Sequence, residues 1–235
     1  MQRFYFENIK DYFFIEDKNF INQVLKVLRS QLWDKFIFFD GKRHTDFVFE
    51  ISEIQKNKIF LKKLEEIDKN SEIDFEINLF SSIPNKLEKI EFIAQKWTEV
   101  WVSNFYFFKS QRSQKIFLNE NKVDRIKKII QEAAEQSNRN KIPNFQIIEK
   151  IDFEKFKKEK NIFLHTKDEN SLKIKEIEAK SWEKINIFIG PEWWFSDEEI
   201  EIFQKNNFQK IFLWNRILRT ETVGFTVAFF IIQNF

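Results

Sequence analysis

Apolar and polar positions alternate with a period of two through much of the first 67 residues. The runs RFYFE (from Arg3), KFIFFDGKR (from Lys35), DFVFEISEI (from Asp46) and KIFLKKLEEI (from Lys58) each read as a strand with one face buried. Asp40-Gly41, set between alternating runs, is a hairpin signal. A single helical pattern, Phe20 to Leu28, interrupts the strands. This pattern predicts a small β-barrel domain over residues 1–70.

From about residue 72 the period changes. EIDFEINLFSSI reads as a strand, and Asn85 with Glu88 opens a helix running toward Glu99. NFYFFKS is a strand, and Asn119 to Ser137 is a helix with Val123, Ile126, Ile130 and Ala133 on one face. Strands follow near 161–165, 185–189 and 209–213. Helices follow Ser196, where Glu199 completes a capping-box spacing, and Arg219. Strand–helix alternation predicts an α/β fold with a largely parallel sheet over residues 71–235. The charged segment KDENSLKIKEIEAKS stays ambiguous between strand and helix.

Composition narrows the class. Apolar residues at 43% and charged residues at 32% describe a globular chain, and a net charge of +2 is too small to argue for nucleic acid alone. With no cysteine, disulfides and thiolate zinc sites are excluded, which suits a reducing cytoplasm. The charged N-terminus has no signal-peptide core. The longest apolar run, Val223 to Ile232, is far short of the roughly 20 residues of a membrane span. His44 and His165 are far apart, no metal spacing is present, and neither a Walker loop nor a GxGxxG fingerprint occurs. One imbalance remains: three glycines against seven tryptophans.

Three polar clusters stand out: QEAAEQSNR (131–139) at a helix end, IGPE (189–192) at a strand end, and NRILRTET (215–222) after another strand. Strand C-termini are where open α/β sheets bind ligands. Together with KLEKIEFIAQKWTEVWV, KSQRS, IGPEWWFS and LWNRILRTET, and with VLKVLR and FFDGK nearer the start, these motifs resemble, in order and spacing, one family over nearly the whole chain. It is the RsmE-type 16S rRNA uridine-N3 methyltransferases of the SPOUT superfamily. Gln23 departs from the pattern, since relatives often carry histidine before VLR.

The family has glycine where this chain has Trp33, Trp97, Trp101, Trp193, Trp194 and Trp214, and Trp182 is a seventh candidate outside a firm motif. Glycine is used where φ is positive or where backbone must approach a ligand, and tryptophan suits neither. Some bacterial codes read UGA as glycine where others read tryptophan. Reading all seven tryptophans as glycine gives ten glycines and removes the imbalance.

The resemblance implies a PUA-like β-barrel that grips RNA, followed by a SPOUT trefoil-knot domain that binds S-adenosylmethionine and works as a cytoplasmic homodimer on 16S rRNA of the small ribosomal subunit. The target it implies is N3 of uracil 1498. Cofactor contacts are expected from Leu164, His165 and Thr166, from Ile189, Gly190, Pro191 and Glu192, and from the loop after the next strand. In that loop they are Leu213, Trp214, Asn215, Ile217, Leu218, Arg219, Thr220, Glu221 and Thr222. Arg139 and Arg219 are the candidate cations for the developing anion, and Glu135 and Glu192 the candidate proton acceptors or orienters. Arg3, Arg29, Lys42, Arg43 and Arg112 are the expected RNA contacts, and no metal is implied. The competing expectation is a non-enzymatic RNA-binding dimer whose tryptophans block the cofactor cleft.

Overall fold

The N-terminal alternating segments pair into a five-stranded sheet in the computed structural model, which describes residues 1–113, 116–165, 172–177, 183–192, 194–213 and 215–234. The strands are β1 (Arg3–Tyr5), β2 (Tyr12–Ile15), β3 (Lys35–Phe39), β4 (Thr45–Gln55) and β5 (Lys58–Asp68), in the order β1-β3-β4-β5-β2. All pairs are antiparallel except β1 with β3. Register shifts within β4, between Val48 and Phe49 and between Ile51 and Glu53, mark the irregularities that increase local twist and let such a sheet curl. Phe4, Phe13, Phe36, Phe38 and Phe49 fill the enclosed face with Val24, Ile51, Ile59 and Leu61.

Two details depart from the sequence reading. The edge strand β2 reads YFFI, so aromatic residues on both faces (Phe13 inward, Tyr12 and Phe14 outward) hide the alternation. The helical pattern begins earlier than Phe20, as α1 (Lys18–Asn22), because the Asp17 side chain accepts the Phe20 N–H as an N-cap. It continues as a π-helical turn over Gln23–Val27.

The Asp40-Gly41 turn between β3 and β4 is held by one carboxylate. Asp40 accepts the backbone N–H groups of Lys42 and Arg43, each at 2.9 Å, and the Arg43 guanidinium at 2.6 Å. Burial pushes this carboxyl up, but the N–H donors and Arg43 outweigh it and hold the group below its ordinary value. A depressed folded pKa stabilises the fold above the ordinary carboxylate value and loses that contribution as pH falls through the folded one. Asp40→Asn is therefore expected to cost about 1 kcal/mol near neutrality, the scale of a charge-assisted hydrogen bond. The melting-temperature gap between variant and parent should close as pH falls from the ordinary carboxylate value through the depressed folded one, and a constant gap across pH would contradict the assignment.

The second sheet has seven parallel strands. They are β6 (Glu76–Ser82), β7 (Asn104–Phe108), β8 (Asn144–Ile148), β9 (Lys160–Leu164), β10 (Leu172–Lys173), β11 (Lys184–Ile189) and β12 (Gln209–Phe212). Their order is β10-β12-β9-β11-β6-β7-β8, so β11 enters between β9 and β6 after both have been laid down. The intervening helices are α2 (Leu87–Glu99), α3 (Glu120–Gln136), α4 (Asp197–Lys205) and α5 (Thr220–Gln233). The ambiguous segment contributes β10 and a short 3-10 turn, Ile174–Glu176.

Strand pleat sorts the two faces. Ile77, Leu79, Phe105, Ile162, Ile185, Ile187 and Ile211 pack with Ile90, Ile93 and Ala94 of α2, Ile126 and Ile130 of α3, and Val227 and Ile231 of α5. Phe80, Phe163 and Phe188 turn to the other face and pack with Phe203 of α4. Register is fixed by a row of asparagines across four strands: Asn104 donates to Asn78 (2.6 Å), Asn78 to Asn186 (2.9 Å) and Asn186 to Asn161 (2.8 Å). A slip by one residue would bury these amides without partners, which is costly.

By contact density the chain divides into Met1–Glu72 with Ala134–Lys141, and Ile73–Ala133 with Ile142–Phe235.

Three of the described tryptophans occupy backbone that suits glycine. Trp33 has φ 74°, Trp101 58° and Trp194 62°. Trp33 follows Gln31 in a turn closed by the Asp34 N–H donating to the Gln31 carbonyl. Trp101 stands just past the C-cap of α2, where the Val102 N–H donates to the Trp97 carbonyl at 3.1 Å. That is the Schellman closure, whose left-handed position is usually glycine. Trp194 closes a turn onto the Pro191 carbonyl at 3.0 Å. Trp97 is buried inside α2 against α5, and its Nε1 has no hydrogen-bond partner among the described residues. A Cβ at Gly224 would lie 2.4 Å from that nitrogen. Trp182, Trp193 and Trp214 lie outside the described residues.

Candidate functional site

Three neighbouring strands, β11, β9 and β12, begin on polar residues (Lys184, Lys160 and Gln209) and end on apolar ones at Ile189, Leu164 and Phe212. Their loops and the start of α5 enclose a cleft of about 420 Å³. Small-molecule sites commonly run from about 300 to 1,000 Å³ with an apolar lining and few polar groups. Leu164, Ile189, Leu213, Leu218 and Val223 supply the apolar lining, with Ile217 at the mouth, 76% exposed. His165, Glu192, Asn215, Arg216 and Arg219 supply the polar groups.

The loops are tied to the sheet rather than to one another's side chains. The His165 N–H donates to the Ile211 carbonyl at 3.1 Å, and Thr220 Oγ1 donates to the Gly190 carbonyl at 3.3 Å. A Cβ at Gly190 would sit 3.2 Å from the Phe195 N and 3.3 Å from its buried ring, so a side chain here would fit only if Phe195 gave way slightly. Ser196 caps α4 through the expected capping box with Glu199. α5 starts at Thr220, with Arg219 at its N-cap making no side-chain cap bond. Arg219 and Thr220 line the cleft, so the positive end of the α5 dipole lies at its wall, which favours an anionic ligand group.

The cleft collects Leu164, His165, Ile189, Gly190, Pro191, Glu192, Leu213, Asn215, Ile217, Leu218, Arg219 and Thr220 of the residues expected to hold a cofactor. Glu221 lies in an adjoining recess, and Thr222 lines neither cavity. Thr166 and Trp214 lie outside the described residues. Phe212, Arg216 and Val223 line the cleft without having been singled out for it, and Trp194, one of the tryptophans of the blocked-cleft expectation, lines it too. Phe212 and Val223 read as ordinary core, and only their places at a strand end and one turn into α5 bring them here. The Trp194 ring centre lies 5.8 Å from that of His165.

The other expected catalytic and RNA-contact residues are placed differently. Arg139 is 2% exposed, and its Nη2 donates to Glu72 Oε2 at 2.8 Å. Glu135 accepts the Tyr5 N–H at 3.0 Å. Neither lines the cleft. Arg3 is 4% exposed, pairs with Asp46 at 2.8 Å, lies over the Phe39 ring and donates to the Arg139 carbonyl at 2.6 Å. Its guanidinium is committed inside the first unit. Arg29 is exposed, Lys42 pairs at the surface with Glu7, and Arg43 half-covers the Phe47 ring. Arg112 is exposed at the second recess. In the cleft wall, Glu192 pairs with Lys89, while Arg219 is 81% exposed and 3.9 Å from Glu221. Among the described residues no cluster of three metal-binding side chains occurs, and no helix is long and apolar enough to cross a membrane.

A parallel sheet with a ligand-sized crevice at its strand C-termini is the arrangement in which open α/β proteins bind their ligands. Residues 71–232 match the family model described as an RNA methyltransferase domain. The chain is 33% identical over 231 residues to a ribosomal RNA small subunit methyltransferase E of Buchnera aphidicola, covering 94% of this chain and 89% of that one. It is 29% identical to the corresponding protein of Bacillus subtilis, over 86% and 82% of the two chains. The crystal structure of a ribosomal RNA small subunit methyltransferase E from Neisseria gonorrhoeae bound to S-adenosylmethionine superposes with a TM-score of 0.83 at 25% identity, over 97% and 95% of the chains. The chain belongs to the ribosomal RNA small subunit methyltransferase E family.

Proposed function

We propose that this protein uses S-adenosylmethionine to methylate N3 of a uridine in 16S rRNA, uridine 1498 in the family's terms. The observation that carries the reading is the cleft at the ends of β9, β11 and β12 in a chain of this family. A relative of similar fold holds S-adenosylmethionine. The residues present suit that molecule: an apolar floor for a purine, an exposed α5 N-terminus for a carboxylate, and loops anchored by backbone bonds. When bound, the cofactor supplies an electrophilic methyl group.

The chain's own contribution is placement and charge. Leu164, Ile189, Leu213 and Leu218 would bury the adenine and fix its plane, and Gly190 keeps the β11 loop close to it. Arg219, exposed at the mouth and only loosely paired with Glu221 at 3.9 Å, would meet the RNA strand or the base carbonyls. A target base must leave its stack to reach this depth. The entry of β11 between two earlier strands is consistent with the SPOUT trefoil knot, and the curled N-terminal sheet with a PUA-like module carrying Arg29, Lys42 and Arg43 toward RNA backbone. A homodimer is part of the reading, with the outward Phe229 of α5, 49% exposed, at its interface.

Calorimetric titration with S-adenosylmethionine, followed by nucleoside mass spectrometry of treated 16S rRNA, tests this directly. Binding with formation of N3-methyluridine is the expected result; another methylated nucleoside would reassign the target. Trp194 in the cleft wall favours one rival, an RNA-binding dimer with a blocked cleft. That rival predicts RNA binding with no cofactor heat.

A further inference from the structure

Beside the cleft, at the ends of β11 and β6, lies a recess of about 20 Å³, room for one hydrogen-bonding edge rather than a ring. It shares Pro191, Glu192 and Thr220 with the cleft, so the two are continuous along one edge of the sheet. Its remaining polar lining includes Asn85, Lys89, Arg112 and Glu221. Two atoms there are unusual. Asn85 Oδ1 and Glu221 Oε2 are buried, yet neither has a hydrogen-bond partner among the described residues.

Buried polar atoms without partners are uncommon, and each costs on the order of 1–3 kcal/mol. Neither of these two oxygens is used by a structural contact among the described residues. The Asn85–Glu88 spacing suggests a helix cap, but α2 begins at Leu87 with Lys86 at its N-cap and no side-chain cap bond. Glu221, in the first turn of α5, faces Arg219 at 3.9 Å only through Oε1, which leaves Oε2 without a partner. Such atoms suit a ligand edge that arrives later.

We propose that this recess receives the imide edge of the base to be methylated, with Glu221 accepting its ring N–H and Asn85 meeting a flanking carbonyl. The proposal rests on the uridine reading above. The imide edge of uracil presents carbonyl, N–H and carbonyl in a row. The complementary order is donor, acceptor, donor. Glu221 Oε2 is the acceptor. Lys89, whose ammonium keeps donors beyond the one given to Glu192, serves one carbonyl. The Asn85 amide serves the other through Nδ2 after a half-turn, an exchange of near-isosteric ends. In the proton step the N–H bond breaks, an O–H bond forms on Glu221, and the electron pair stays on the ring nitrogen. The carboxylate lies beside the cofactor cleft; the freed lone pair stays in the ring plane along the former N–H direction, so the protonated carboxyl has to turn aside before the nitrogen is methylated.

Glu221→Gln keeps shape and removes the proton acceptor, and Asn85→Ala removes the carbonyl donor. Both are to be measured in the full-length protein by thermal melting, S-adenosylmethionine calorimetry and single-turnover methylation of 16S rRNA across pH. Glu221→Gln should keep cofactor affinity within about threefold and lose about 100-fold or more in rate, the scale of general-base catalysis. Its residual rate should climb steeply with pH as hydroxide takes over deprotonation. Asn85→Ala should raise the RNA concentration needed for half-maximal rate more than it lowers the limiting rate. Glu221→Gln within threefold of the parent rate, or losing rate and cofactor affinity together, overturns the assignment. A parent protein that binds cofactor but leaves uridine unmodified overturns the functional reading, and this inference with it. A parent that methylates while both variants keep pace overturns this inference alone.

Discussion

Arg139→Met is expected to lower the free energy of unfolding by about 3–5 kcal/mol, the usual cost of removing one partner from a buried ion pair. Arg139 and Glu72 side chains are 3% and 6% exposed, and Nη2 meets Oε2 at 2.8 Å. Glu72 Oε1 also accepts the Asn140 N–H at 2.9 Å and the Lys141 N–H at 3.2 Å. The variant would therefore leave an ionised carboxylate with dipolar partners but no countercharge. The same knot of polar groups includes Arg3, whose Nη1 donates to the Arg139 carbonyl and whose Nη2 meets Asp46. Arg139→Met with Glu72→Met should recover much of the loss, because the penalty belongs to the stranded charge more than to the pair. Urea denaturation of the two single variants and the double variant reads this coupling. Near-parent stability with lost methyl transfer would instead return Arg139 to the chemistry, the role its motif suggested.

This cluster also shows where sequence reading stops. QEAAEQSNR stands out because Glu135 and Arg139 are polar residues crowded at a helix end, and crowding of that kind suits either a site or a buried structural network. Only the fold reveals that Ala134–Lys141 packs with the first unit and that the partner of Arg139 is Glu72, distant in sequence. Local signals fared better. The Ser196–Glu199 capping box, the helix after Arg219 and the strands near 161, 185 and 209 all sit where their spacing put them, because each is encoded within one turn or one strand. Of the cleft, the loops at strand ends were legible from the α/β pattern. The recess was not, since Asn85 read as the opening of a helix and Glu221 as one cofactor contact among many.

Replacing Trp33, Trp101 and Trp194 together by glycine is expected to stabilise the protein by about 3 kcal/mol. An L-residue in the left-handed region costs on the order of 1–2 kcal/mol, and glycine returns part of that through its freer unfolded chain. Each site then gains about 1 kcal/mol, provided the tryptophan ring contributes little there. Trp33 meets that condition best, at 66% exposed. Trp101 sits at the helix stop where glycine is the common solution, and Trp194 stands in the cleft wall. Removing the last ring also opens the cleft, so S-adenosylmethionine should bind about tenfold more tightly, equivalent to about 1.4 kcal/mol. Trp97 differs. Its ring is fully buried with Phe105 and Phe107, and removing it would leave a cavity costing about 3–5 kcal/mol unless α2 and α5 close over it. It is kept out of the set for that reason. Denaturation and calorimetry of the triple variant, with the codons at the seven tryptophan positions read from the gene, decide the matter. UGA codons in a lineage that decodes them as glycine, joined to a more stable triple variant, would make glycine the native residue at these turns. UGG codons with a destabilised triple variant would mean that the rings contribute more than the backbone strain costs, and the blocked-cleft reading would then gain over the methyltransferase.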